Sequence, residues 1–290
     1  MTIMSTTRLL QLPLALFIVV CIAGSAAAQT TANASSTTAT AVQDDDPDRD
    51  PNDSQPDFYV ATLNTNLRLP NHKMAFRLTH RFLRTMGDGD VGDLFGRFFG
   101  LDSGAQIGLE YRFGLIRGGQ IGIHRTSNKT IELFGQYNVL EERKNGVIGL
   151  DAFFSIDGTN NFKDSYTPAL GIVVSRELGG YGAIYVEPMW VNNSNPLPSE
   201  LTDDNDTFTL GIGGRLRIRP TVYLVGEFIP RVGFEPGVDY GSFGIEKRAG
   251  GHVFQLNFSN GFGTTMGQVA RGGTGSEDWY LGFNISRKFF

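Results

Sequence analysis

The stretch DWYLGFNISRKFF, residues 278–290, alternates apolar and polar side chains with a period of two. Successive side chains of a β-strand point to opposite faces of the sheet, so this stretch predicts a strand with one apolar face. The apolar face is interrupted only by Arg287 and otherwise carries Trp279, Leu281, Phe283, Ile285 and Phe289. The opposite face carries Tyr280, Gly282, Asn284, Ser286 and Lys288. Soluble β-sandwiches and membrane barrels both use such strands, and the rest of the chain must decide between them.

The same alternation recurs upstream, in a chain whose 37 glycines and 22 phenylalanines favour β-structure. Segments of this kind begin near residues 73, 104, 119, 129, 146, 166, 181, 206, 221, 241, 251 and 278. The connections between them alternate short and long, apart from one early short connection at 126–128. Tight periplasmic turns and longer outer loops are typical of outer-membrane barrels. The sequence therefore predicts an all-β fold, a transmembrane antiparallel up-and-down barrel of twelve strands, with ten to fourteen as the range.

Three of the predicted long outer loops have distinctive sequences. The first, residues 85–104, contains a candidate amphipathic turn with apolar residues at Leu94, Phe95, Phe98 and Phe99. The others are DGTNNFKDSY at 157–166 and the glycine-rich stretch at 260–278. Aromatic residues that suit the membrane interface lie near predicted strand ends, at Tyr181, Trp190 and Trp279.

The N-terminus predicts export to the bacterial outer membrane. Residues 1–28 combine Arg8, a short apolar run and small residues at Ala26 and Ala28, which predicts a signal peptide cleaved after Ala28. The only cysteine of the chain, Cys21, lies within this peptide. The predicted mature chain therefore has no disulfide, no thiolate metal site and no cysteine nucleophile.

Two segments separate the signal peptide from the predicted barrel at 73–290. Residues 29–56 are small and polar, then rich in aspartate, without the glycine turn and distal glutamate of a calcium loop, so they predict a solvated linker. All of the chain's net acidity lies in residues 29–57, since residues 58–290 are balanced in charge. Residues 57–72 would supply a thirteenth strand in the wrong phase. We therefore expect them inside the barrel or along its periplasmic rim.

The polar faces of the predicted strands carry charges of both signs in equal number. The basic residues are Arg77, Arg81, Arg112, Arg215, Arg217 and Lys288, and the acidic ones are Glu110, Glu132, Asp151, Glu187, Glu227 and Glu246. One interpretation is that they form ion pairs which fill and stiffen the barrel, together with Phe134, Phe153, Tyr185 and Tyr223. The other is that Arg215, Arg217, Glu187 and Glu227 line a path for a small polar or zwitterionic solute. The sequence leaves both open.

Four short motifs carry a resemblance to a known family. They are THRF at 79–82, LFGRFFGLD at 94–102, RTSNKT at 125–130 and GGHVFQLNFSN at 250–260. As a set they resemble a bacterial family of outer-membrane β-barrel proteins classified as a domain of unknown function, over roughly residues 57–290. The resemblance implies a fold and a membrane location, and it implies no activity and no catalytic residues.

No pattern in the sequence predicts catalysis or a cofactor. His72, His80, His124 and His252 have no metal-ligand spacing, and we expect each to be an interface or turn residue. No serine pairs in register with His80 or His252, which disfavours a membrane hydrolase. The glycines at 211–214 are in mid-strand without a following helix, so they are not a nucleotide fingerprint. No basic patch indicates nucleic acid.

The expected function is therefore a narrow channel or uptake barrel for small polar solutes. The alternative is a non-conducting barrel that is structural or binds a partner. The expected partners are the outer-membrane lipid, the small solute, and the barrel-assembly machinery, which would recognise the C-terminal strand ending at Phe290.

Overall fold

The structure is a computed structural model that describes residues 54–87, 92, 104–142, 146–196 and 205–289. The predicted signal peptide, most of the linker, the candidate turn at 94–99 and the C-terminal Phe290 lie outside the described residues.

The described chain is mainly β-strand, with two short helical segments. The strands are β1 (Met74–Thr85), β2 (Ala105–Ile116), β3 (Gly119–Thr126), β4 (Ile131–Leu140), β5 (Gly149–Gly158), β6 (Asp164–Glu177), β7 (Gly182–Val191), β8 (Thr207–Arg219), β9 (Val222–Ile229), β10 (Arg231–Val232), β11 (Tyr240–Ala249), β12 (His252–Ser259) and β13 (Tyr280–Phe289). The helical segments are α1 (Thr159–Phe162) and α2 (Met266–Ala270). Each of the twelve predicted strand starts lies within three residues of an observed one.

Twelve of these strands close into an antiparallel barrel. Each wall strand pairs with its neighbours in sequence, and the two-residue β10 continues the ladder of β9 along β8. The first strand pairs with the last over a register that begins at Met74 opposite Phe289. Closure leaves no open sheet edge, so every strand can satisfy its backbone hydrogen bonds without water. The prediction of a twelve-stranded up-and-down barrel is confirmed.

The two faces of the wall differ as the alternation predicts. Apolar side chains project outward, and Phe154 and Leu170 are 57% and 61% exposed. In β13 the outward residues are those of the apolar stripe, while Tyr280, Asn284, Ser286 and Lys288 are buried inside. An apolar exterior on a closed barrel suits lipid. Among the described residues, no helix is long and apolar enough to cross a membrane.

Two outer connections differ from the predicted long loops. Half of the stretch 157–166 is strand, because β5 continues to Gly158 and β6 begins at Asp164. The turn is made tight by Asn160 and Asn161, whose φ angles of 49° and 60° lie in the left-handed region that asparagine tolerates. The connection between β12 and β13 is long, but it turns into the barrel, where residues 264–270 are buried. We call residues 260–274 the inward loop.

Candidate functional site: the filled lumen

The inward face of the wall is polar and buried. The structure places on it eleven of the twelve charged residues that the sequence singles out. Those that are at least nine-tenths buried are Arg77, Arg81, Glu110, Arg112, Glu132, Asp151, Glu187, Arg215, Glu227, Glu246 and Lys288. Arg217 is separate from them, since it is half-buried beside the β6–β7 turn and donates to the Gly180 carbonyl at 3.3 Å.

Residues 54–69 lie inside the barrel, and we call them the luminal hairpin. The chain reverses at a tight turn in which the Val60 amide donates to the Leu63 carbonyl at 2.8 Å. Below the turn, the Thr65 amide donates to the Phe58 carbonyl at 2.9 Å. The buried part begins before the predicted boundary at residue 57, because Ser54 is also fully buried.

Glu227 of β9 holds the tip of the luminal hairpin. Its carboxylate accepts hydrogen bonds from the backbone amides of Ala61, Thr62 and Leu63, each at 3.0 Å. The hydroxyls of Thr62 and Ser242 also donate to it. Successive amides that converge on one anion form a strong anion-binding arrangement. The negative charge of Glu227 is therefore compensated by the hairpin's main chain.

Two further carboxylates hold asparagines of the hairpin. Glu187 of β7 accepts from the backbone amide and the side-chain amide of Asn64, at 2.9 and 3.0 Å. Asp151 of β5 accepts from the side chain of Asn66 at 2.6 Å and from Asn138 of β4 at 2.7 Å. These contacts fix the second arm of the hairpin against β4, β5 and β7.

The wall's cations bind hairpin carbonyl groups. Arg215 of β8 donates to the Tyr59 carbonyl at 2.7 Å and to the Asp57 carbonyl at 3.3 Å. The same guanidinium forms an ion pair with Glu246 of β11 at 3.1 Å. Lys288 donates to the Pro56 carbonyl. The polar groups of the hairpin's first arm thus face cationic donors, as buried carbonyl groups require.

Two arginines stack on aromatic side chains of the hairpin. The guanidinium of Arg77 lies 3.9 Å from the ring centroid of Tyr59, and it also donates to the Ala61 carbonyl. Arg112 lies 4.7 Å from the Phe58 ring and forms an ion pair with Glu110 at 3.2 Å. Desolvated cation–π contacts of this kind are worth about 2 kcal/mol each.

Uncharged inward residues also bind the hairpin, and the charge-based prediction missed them. Gln136 donates to the Thr65 carbonyl at 2.7 Å, Gln120 donates to the Leu67 carbonyl at 3.2 Å, and Gln255 donates to the Val60 carbonyl. The signal was present in the sequence. All three glutamines occupy the polar register of their strands, alongside the charged residues.

A notch in the wall receives the one large apolar side chain at the hairpin tip. Leu63 lies against β8 where Gly211 and Gly213 leave space, and it is 1% exposed. A Cβ atom added at Gly211 would come within 2.3 Å of the Leu63 side chain. Gly211 and Gly213 therefore allow a close approach of the hairpin to the wall.

The inward loop fills the lumen from the opposite end. The Met266 amide donates to Glu132 of β4 at 3.1 Å, and the Thr265 hydroxyl donates to Asp157 of β5. Met266 also meets the hairpin, since the Asn64 side chain donates to its sulfur at 3.7 Å. An apolar cluster that includes Phe58 of the hairpin and Met266 of the inward loop connects the two segments inside the lumen.

His124 corrects the expectation that every histidine is an interface or turn residue. It points into the barrel from β3, is fully buried, and has its Nδ1 atom 3.6 Å from Glu132. The period-two pattern of β3, with Ile121 and Ile123 outward, would have placed it inside. His80 instead faces outward and stacks on Phe283 at 4.7 Å. Among the described residues, no cluster of three or more His, Cys, Asp or Glu side chains could hold a metal ion.

A closed wall with an apolar exterior and a buried polar interior defines a membrane β-barrel protein. Residues 57–289 match the family described as membrane bound beta barrel domain (DUF5777), and the chain belongs to that family. No curated protein sequence matches this chain significantly.

Solved structures of outer-membrane proteins are similar to this chain at very low sequence identity. The NanC porin is 6% identical, with 75% of this chain and 99% of that chain covered and a TM-score of 0.50. The Acinetobacter baumannii outer membrane protein Omp33 is 9% identical, with 75% and 98% covered and a TM-score of 0.45. A mutant porin of Rh. blastica is 10% identical, with 63% and 55% covered and a TM-score of 0.34. The likeness to the NanC porin concerns the fold alone.

Proposed function

We propose that this protein is a narrow channel or uptake barrel for small polar solutes, closed at rest by its luminal hairpin. The observation that carries the proposal is the way the hairpin is held. Glu227, Glu187 and Arg215 bind amide and carbonyl groups of the hairpin. A hydrated solute that offers donors and acceptors can take the place of such groups, which a purely apolar plug would not allow.

The wall supports this proposal because it closes without the hairpin. Paired strands form a complete ring, and the hairpin has no strand position in it. Moving the hairpin toward the periplasm would therefore clear its part of the lumen and leave the ladder of wall hydrogen bonds intact. A continuous path also requires the inward loop to move. The exposed path would carry charges of both signs, which suits a polar or zwitterionic solute better than an ion of one sign.

A second candidate is a non-conducting barrel that is structural or binds a partner. The inward loop favours it, because α2 is buried at every residue and packs with the hairpin in one apolar cluster. The luminal hairpin and the inward loop would have to separate before the lumen opened, and that separation would cost packing free energy.

Bilayer recordings on a lockable variant test the channel proposal. Leu63→Cys with Gly211→Cys places two thiols where the hairpin tip meets β8, in a chain whose other cysteine, Cys21, lies in the predicted signal peptide. We expect discrete conductance steps when the pair is reduced and silence when it is oxidised. Leu63→Cys alone is the matched control and should not respond to oxidant.

Equal conductance of the oxidised and reduced pair would show that the hairpin is not the gate. Silence of the reduced pair, of the wild type and of Glu227→Ala together would leave the non-conducting barrel as the function. These two results are distinct, so the gate and the channel are tested separately.

We also propose export to the outer membrane through the signal peptide, with cleavage after Ala28 and recognition of the C-terminal strand ending at Phe290 by the barrel-assembly machinery. The outward stripe of β13 supports the second part. Intact mass and N-terminal sequencing of the membrane fraction should place Gln29 first. Deletion of Phe290 should lower the amount of assembled barrel, and normal assembly of that variant would contradict the proposal.

A further inference from the structure

A small basic group lies on the lipid-facing side of the wall, near the periplasmic end. Lys247 of β11 and Arg287 of β13 point outward and are exposed, each two residues before its strand ends. His252 of β12 lies between these strands and also faces outward. We call these three side chains the outward basic group.

The register places the three residues on one patch of the wall. Arg287 is directly opposite His252, and Lys247 is opposite Phe254, the next outward residue of β12. Lys247 and Arg287 therefore flank one strand, and their Cα atoms are about 12 Å apart, two strand spacings across the sheet and two residues along it. Both side chains are long enough to converge on a single group bound above β12.

Arg287 is held in position on this patch. One of its terminal nitrogens lies 3.0 Å from Nε2 of His252, and arginine has only donors, so His252 accepts there. Its guanidinium also lies 5.2 Å from the Phe289 ring centroid. These contacts use part of the guanidinium and leave its remaining donors directed to the membrane interface.

The outward basic group has no carboxylate to pair with in the part of the chain that the structure describes. The lipid-facing positions of β9, β11, β12, β13 and β1 carry no aspartate or glutamate. Arg176 gives the contrast, because it faces outward at the same end of β6 but pairs with Glu142 at 3.2 Å. An isolated snorkelling lysine needs no ligand, but two unpaired cations around a hydrogen-bonded histidine form a preorganised anion site.

We propose that the outward basic group binds the phosphate of a membrane phospholipid, whose acyl chains lie along the apolar face of β12 and β13. That face offers Phe254, Leu256 and Ile285 directly beside the cations. The inference is independent of whether the barrel conducts. It assigns the site a ligand with a phosphate at the interface and hydrocarbon below it.

Native mass spectrometry of the purified full chain tests the site. After delipidation in a neutral detergent, the protein is titrated with phosphatidylglycerol, with diacylglycerol lacking phosphate, and with inorganic phosphate as competitor. We expect binding of phosphatidylglycerol, none of diacylglycerol, and no displacement by inorganic phosphate at equal concentration. Lys247→Gln with Arg287→Gln should weaken phosphatidylglycerol binding about 30-fold, since each basic residue contributes to the attraction.

Two control variants separate the site from general surface charge. Arg176→Gln removes the paired outward cation and should leave phosphatidylglycerol binding unchanged. Lys247→Arg with Arg287→Lys keeps both charges and should retain most of it. The proposal would be overturned if the double glutamine variant bound phosphatidylglycerol as tightly as the wild type. It would also be overturned if Arg176→Gln lost as much affinity as the double variant, or if the wild type bound diacylglycerol as tightly as phosphatidylglycerol. Displacement by inorganic phosphate would replace the lipid with a free anion and overturn it as well.

Discussion

The luminal hairpin and the inward loop fill the same barrel by different means. The wall binds the hairpin largely through main-chain groups, as Glu227 does with three successive amides and Arg215 with two carbonyls. The inward loop depends more on its side chains, since Thr265 donates to Asp157 and Gln268 accepts from Gln106 at 2.9 Å. Loss of one hairpin side chain should therefore release the hairpin less readily than loss of a wall side chain that binds its main chain. For the loop, its own side chains should matter most.

The largest effect is expected for Glu227→Ala in the wall. Three amides and two hydroxyls would lose their shared acceptor inside the barrel, at a cost of about 3–5 kcal/mol for breaking a buried charged network. The hairpin should leave the lumen, and trypsin should then cut after Arg68, as detected by mass spectrometry. Glu235→Ala, in the exposed β10–β11 connection, is the control and should keep Arg68 protected. Equal protection in both variants would contradict the role of Glu227.

Met266→Ala tests the inward loop. The side chain is 2% exposed within the apolar cluster, so its truncation should lower the free energy of unfolding by about 2–4 kcal/mol. Thermal unfolding in detergent, followed by circular dichroism, measures the loss. If the loop were held by main-chain contacts as the hairpin is, the loss would be below about 1 kcal/mol.

Gly211→Ala tests the notch that receives Leu63. The added Cβ would come within 2.3 Å of the Leu63 side chain, and overpacking of this kind costs about 1–3 kcal/mol. Leu63→Ala in the same chain should recover much of the loss, which a double-mutant cycle measures as a coupling energy. Simple additivity of the two changes would place Leu63 away from the notch.

The smallest effect is expected for Thr62→Ala in the hairpin. Only its hydroxyl bond to Glu227 is lost, while the amide bonds remain, so we expect about 0.5–1.5 kcal/mol. Protection of Arg68 from trypsin should persist. Release of the hairpin by this single change would remove the distinction between main-chain and side-chain recognition.

Strand positions could be read from the sequence because lipid outside and polar groups inside impose one strict period. Phe153 and Phe154 illustrate this, since a period of two places adjacent residues on opposite faces and the two side chains are 1% and 57% exposed. The inward orientation of Glu187 and Glu227 followed from the same alternation. Their partners did not, because a register predicts where a side chain points but not which residues occupy the space it faces.

The inward loop could not be placed from the sequence. Residues 260–274 are rich in glycine and lack an apolar period, so they look the same as an exposed loop. What places them inside is the set of acceptors on distant strands, including Glu132 and Asp157. The tight turn at 159–163 differs from the predicted long loop for a related reason. Its asparagines are common in long loops and also in the left-handed turns that make a short one.

The position of the luminal hairpin in the chain has a consequence for biogenesis. The hairpin is synthesised before any wall strand, yet Glu227 follows the amides it binds by 164 to 166 residues, and Lys288 follows Pro56 by 232. The segment must remain without its partners while almost the whole cylinder is made. A few residues connect it to β1, the strand whose pairing with β13 closes the barrel. A segment that is synthesised before every wall strand is therefore among the last to dock.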